Sequence, residues 1–131
     1  MTGAIPLVTI AKRGGIAIVL SVVVNLAILA LVRTFGLVEP FGAMSVPPIT
    51  FLTVLGGIAA TAVYGAITRI STRPDWVFVR VAAVALVVSF VPDVVILRFD
   101  PEATPGAVLV LMFMHVVVAV ICVATLTRQT R

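Results

Sequence analysis

Residues 14–32 read GGIAIVLSVVVNLAILALV, from Gly14 to Val32, with Lys12 and Arg13 just before the run and Arg33 just after it. No charged side chain interrupts the stretch. About 20 mostly apolar residues cross the ~30 Å hydrocarbon core of a bilayer as an α-helix. A lone segment in lipid must satisfy its own N–H and C=O groups, and a helix does this locally. The stretch therefore predicts a transmembrane helix.

Three similar runs follow: Ile49–Ile67, closed by Thr68 and Arg69, then Trp76–Leu97, then Gly106–Leu126. Valine is abundant, but the runs lack the apolar-out, polar-in alternation of a membrane barrel. Composition points the same way, with 62% of the 131 residues hydrophobic and 11% charged. A soluble domain carries about 25% charged residues. The expected fold is all-α: a single membrane domain over residues 1–131, built as a bundle of four transmembrane helices. The third helix is expected to start ahead of its apolar run, with Thr72 as N-cap, Pro74 in the first turn and Asp75 three residues after the cap. Trp76 then sits at interface depth, and Arg80 reaches back to the headgroups. The first span is longer than the ~7–15-residue apolar region of a signal peptide, and no A-x-A cleavage site follows it.

Basic residues set the orientation. Lys12, Arg13, Arg69, Arg73, Arg80, Arg128 and Arg131 fall on one side, and only Arg33 and Arg98 on the other. The richer side is cytoplasmic by the positive-inside rule, which places both termini inside. Membrane orientation accounts for the basic excess, so the expected partner is the lipid bilayer and not nucleic acid. Cys122 is the only cysteine, which excludes an intrachain disulfide and a C-x-x-C redox pair. The longest outer connection, Arg33 to Pro48, mixes Phe35, Leu37, Val38, Phe41, Met44 and Val46 with Gly36, Pro40, Gly42, Pro47 and Pro48. It is expected to lie on the outer face or to cap the bundle; a lid over a substrate is the sharper alternative.

Ser21 to Leu29 parallels Ser89 to Leu97, both reading S-x-V-x-[N/D]-x-x-I-L. The second and fourth spans each follow a proline, Pro48 or Pro105, and each close on Thr-Arg. This pattern raises the prospect of two duplicated hairpins, with Asn25 and Asp93 at equivalent positions.

Depth organises the polar residues. Asn25 lies about 10 Å, Asp93 about 6 Å and His115 about 13 Å from the outer ends of their helices. Ser21 and Ser89 stand one turn from Asn25 and Asp93 on the same faces, and Thr53 is at similar depth. Polar residues in spans usually face other helices, because lipid offers them no partners. A cluster of Asn25, Asp93 and His115, with Ser21, Ser89 and Thr53 around it, is the expected binding or proton-relay site. Asp93 is the only acid inside a span and must be paired, hydrated or protonated. Pro92 before it is expected to kink the helix, because it cannot donate to the carbonyl of Val88. An interfacial pairing of Asp93 with Arg33 or Arg98 is the plain alternative. His115 either exchanges protons with Asp93 or ties two helices together as a neutral ring.

Gly57, Thr61 and Gly65 form a small-x-x-x-small stripe for close helix packing, within the bundle or between copies in a homo-oligomer. Tyr64 beside them reads as an interface residue. No phosphate-binding glycine loop and no His-Glu-x-x-His is present. His115 and Met112 are too few ligands for a metal, so no metal and no cofactor is expected. Ser89, His115 and Asp93 do not make a nucleophilic triad, since Ser89 and Asp93 share a helix turn and no oxyanion hole is visible.

Short motifs run along nearly the whole chain: Val23-Val24-Asn25-Leu26, Pro48 ahead of the second span, Leu55-Gly56-Gly57, Tyr64 to Arg69, Arg73-Pro74 with Phe78, Ser89 with Pro92-Asp93, and Leu111 to His115. In these the chain resembles a family of small, uncharacterised four-span membrane proteins of actinobacteria, related bacteria and haloarchaea. The resemblance implies a four-span topology in a prokaryotic plasma membrane and carries no activity. In size and span count the chain also resembles small multidrug exporters, which carry an embedded Glu in their first span. Here that span holds Asn25 and no acid.

Three functions stay open at this point. The first is a non-enzymatic membrane protein whose polar cluster is structural or a small site open to the outer face. The second is a proton-coupled transporter or channel using Asp93 and His115. The third is a membrane enzyme subunit.

Overall fold

The computed structural model describes residues 5–39 and 41–127; Pro40, Arg128 and Arg131, named above, lie outside the described residues. The described residues form four helices: α1 (Leu7–Phe35), α2 (Val46–Ile70), α3 (Pro74–Phe99) and α4 (Pro105–Leu126). All four are long and apolar enough to cross a membrane. The protein is an all-α, multi-pass membrane bundle.

The helix boundaries follow from local chemistry. At the end of α1, Gly36 adopts φ 60°, and the N–H groups of Gly36 and Leu37 both return to the carbonyl of Val32. Glycine takes this left-handed conformation without a Cβ penalty. Thr104 caps α4, its hydroxyl accepting the Ala107 N–H at 3.2 Å, with Pro105 in the first turn. Proline suits that position because its missing N–H would have had no helical partner. The expected cap at Thr72 does not form: Arg73 precedes α3, with φ −130° and ψ 63°. A residue before proline is held out of the α region, so Arg73 cannot continue a helix begun at Thr72. The Arg73 N–H bonds instead to the Ser71 hydroxyl at 3.0 Å.

Helix α1 packs against α2 and α4, while α3 packs against α4 and more lightly against α2; α1 and α3 are not neighbours. Two apolar clusters form the core. One gathers Leu29, Val32, Ile49, Ala107, Leu111 and Met114 under Phe41 and Met44 of the α1–α2 connection. Met44 is fully buried and Phe41 nearly so, so this connection caps the bundle at what we call the loop end. The other cluster holds Ile10, Ala17, Tyr64, Ile67, Phe78, Cys122 and Leu126, at the end where the chain starts and finishes. Between the two, along their helices, stand the buried polar residues Ser21, Asn25, Thr53 and Asp93.

The small-residue stripe of α2 faces α1. A Cβ on Gly57 would collide with Ile18, and one on Gly14 of α1 would collide with Thr61. Gly65 lies against Ile10. Thr61 turns its hydroxyl back to the Gly57 carbonyl at 2.7 Å, so it adds bulk at the contact without an unpaired donor. The stripe thus serves packing within the bundle. In contrast, α3 buries only Phe78 and Asp93.

Candidate functional site

Helix α3 runs without interruption through Pro92, whose ring nitrogen has no hydrogen to give the Val88 carbonyl. One residue on, Asp93 is buried and turns toward α4. Its Oδ2 lies 2.9 Å from Nδ1 of His115. The two atoms meet at ion-pair distance without the alignment of a hydrogen bond, and neither has another partner. Phe90, nearly one turn before Asp93, sets its ring edge-on to the imidazole with centroids 6.4 Å apart. The Asp93 side chain is 10% exposed and that of His115 37%. Because Nδ1 is enclosed, the exposure of His115 falls on the other atoms of its side chain. The carboxylate thus faces inward while the imidazole bridges it to the outside of the bundle. Arg33 and Arg98 make no ion pair with Asp93 among the described residues.

A second polar pair joins α1 to α2. Asn25 donates from Nδ2 to the Thr53 hydroxyl at 3.1 Å, with both residues buried. Asn25 Oδ1 and the Ser21 hydroxyl one turn away have no partner. Ser89 spends its hydroxyl on the Leu86 carbonyl of its own helix at 2.6 Å. The six residues expected to cluster are therefore arranged as two pairs: Asn25–Thr53 between α1 and α2, and Asp93–His115 between α3 and α4. No hydrogen bond or ion pair links the two. The separation follows from helix order, since α1 and α3 are not packed together.

Beyond His115 toward the chain termini, the α3–α4 seam opens into a shallow groove of about 310 Å³. Ala82, Ala83, Leu86, Ala119 and Ala124 are among its walls. Small side chains leave this space between the two helices, and it is almost entirely apolar. Ala119 stands one turn from His115, so the groove and the polar pair share one face of the bundle.

At the terminal end, Tyr64 is fully buried within the bundle. Its hydroxyl donates to Asp75 Oδ1 at 2.6 Å, and its ring meets Phe78 edge-on with centroids 5.1 Å apart. This tie between α2 and α3 escapes sequence reasoning, although Tyr64 and Asp75 lie close to the same short α2–α3 connection. Trp76 carries Arg80 at 4.1 Å and Arg73 at 5.7 Å from its ring centre. Among the described residues, no group of three or more His, Cys, Asp or Glu side chains stands together as a metal site.

Residues 6–131 match the model of a family of unknown function, DUF6069. No curated protein and no solved structure matches the chain.

Proposed function

The chain belongs to the DUF6069 family of unknown function, and we propose that it is a non-enzymatic protein of a prokaryotic plasma membrane in which Asp93 and His115 form a proton-exchange site. The observation that supports this is the 2.9 Å approach of Asp93 Oδ2 to His115 Nδ1, with the His115 side chain partly exposed. An imidazole can take a proton on one nitrogen and release one from the other. Its exposed side lies at membrane depth, so passing protons in and out requires water to reach the ring from the loop end. A small proton-coupled transporter uses such a pair, with the neighbouring apolar groove receiving the non-polar part of a solute.

The contrast with Asn25–Thr53 favours this reading. That pair is neutral, enclosed on both sides and suited to holding α1 against α2. The matching placement of Asn25 and Asp93, each pairing with the next helix in sequence, also fits a duplicated hairpin.

The test is the pH dependence of the His115 ring signals by NMR in nanodiscs, for wild type and Asp93→Asn. The expected result is a ring signal that responds to pH and a response that Asp93→Asn alters. A ring that stays neutral throughout and ignores the substitution makes the pair a structural tie and ends the proposal.

A further inference from the structure

Two arginines converge on one tryptophan at the start of α3. The guanidinium carbons of Arg80 and Arg73 stand 4.1 Å and 5.7 Å from the centre of the Trp76 ring. The two positive charges are thus no farther apart than the sum of those distances. Neither guanidinium has a carboxylate within ion-pair distance among the described residues. The nearby acid, Asp75, accepts the Tyr64 hydroxyl. Trp76 is half-exposed, and both arginines are exposed.

Two like charges held this close repel, and the repulsion grows near the low-dielectric hydrocarbon. Trp76 stands at the end of a membrane-spanning helix, the depth at which tryptophan meets headgroups. Arg80 starts one turn deeper and reaches back toward that level. Guanidinium groups bind phosphate oxygens through paired N–H donors. We propose that Arg73, Trp76 and Arg80 form a binding site for the phosphate of an anionic phospholipid in the surrounding leaflet. The lipid phosphate, a single negative charge, accepts hydrogen bonds from both arginines and offsets one of their two charges, and the acyl chains run along the exposed valine face of α3, where Val79, Val84 and Val87 lie open. This site is separate from the Asp93–His115 pair.

Trp76 is the only tryptophan, so its fluorescence reports on this site alone. The chain is placed in bilayers containing either phosphatidylglycerol or phosphatidylcholine with brominated acyl chains, which quench tryptophan on contact. Quenching by phosphatidylglycerol is expected to set in at a lipid fraction roughly fivefold lower or more. The double variant Arg73→Gln, Arg80→Gln is expected to lose that preference, while Arg33→Gln, Arg98→Gln at the loop end keeps it. Equal quenching of wild type by the two lipids overturns the proposal without reference to any variant. Survival of the preference in the Arg73→Gln, Arg80→Gln chain overturns it as well. Inorganic phosphate is added to protein in neutral detergent as a separate arm. If it changes Trp76 emission as strongly as phosphatidylglycerol does, the site serves a soluble anion and the lipid assignment fails.

Discussion

The Ile18 side chain of α1 occupies the space in which a Cβ of Gly57 on α2 would stand. Overpacking of this kind costs about 1–3 kcal/mol. Gly57→Ala is expected to lower the unfolding temperature in detergent, and Gly14→Ala, opposite Thr61, to do the same. Gly56, next in sequence, has open space at its Cβ position. Gly56→Ala should stay within about 0.5 kcal/mol of wild type. Equal losses at Gly56 and Gly57 would remove the close α1–α2 contact from the account.

The bond from Asn25 to Thr53 supports a double-mutant cycle. Asn25→Ala and Thr53→Val should each destabilise the bundle by roughly 0.6–2 kcal/mol. The two should be non-additive, because both remove one interaction. A coupling energy of zero, measured by denaturant titration in micelles, counts against the bond.

Tyr64→Phe deletes the hydroxyl that meets Asp75 while leaving the ring edge against Phe78. A hydrogen bond to a charged group contributes about 1.5–3 kcal/mol, and the loss should fall in or below that range. Hydrogen exchange resolves where it acts: amides in the first turns of α3 should exchange faster, and those around Asp93 should not. Uniform acceleration along α3 would contradict a local tie.

Orientation is open to a direct check. The positive-inside rule predicts that the loop end faces outward. With Cys122→Ala as background, Glu102→Cys should react with a membrane-impermeant maleimide on intact cells, and Thr72→Cys only after lysis. The opposite pattern reverses the assignment.

Helix number and type were legible because each apolar run is long enough to cross a bilayer and none alternates. The α2 stripe was legible from spacing, though its partner was not: Gly57, Thr61 and Gly65 present the same face to a neighbouring helix or to a second copy. Only the fit of Ile18 and Thr61 against glycines decides for α1. Depth along each helix indicated that Asp93 and His115 lie close in level, but depth carries no information on helix order. Asn25 is at comparable depth and ends up with Thr53, because α2 and α4 are the neighbours of α1. Thr72 looked like a cap on residue type alone; the backbone restriction that Pro74 imposes on Arg73 was the stronger signal. Tyr64 was assigned to the headgroup belt from its chemistry, and the short α2–α3 connection that brings Asp75 to it carried the missing information about its partner.

Helix α3 buries only Phe78 and Asp93, and its direct ties to the other helices sit near its two ends. Its identity therefore resides in a handful of letters. Over the intervening turns, exchange among valine, leucine and isoleucine leaves the anchors intact, so a saturation library should return a permissive stretch bounded by intolerant positions. The segment can drift far in sequence while remaining the same element, and relatives of this chain are better sought by the spacing of its anchors than by overall identity.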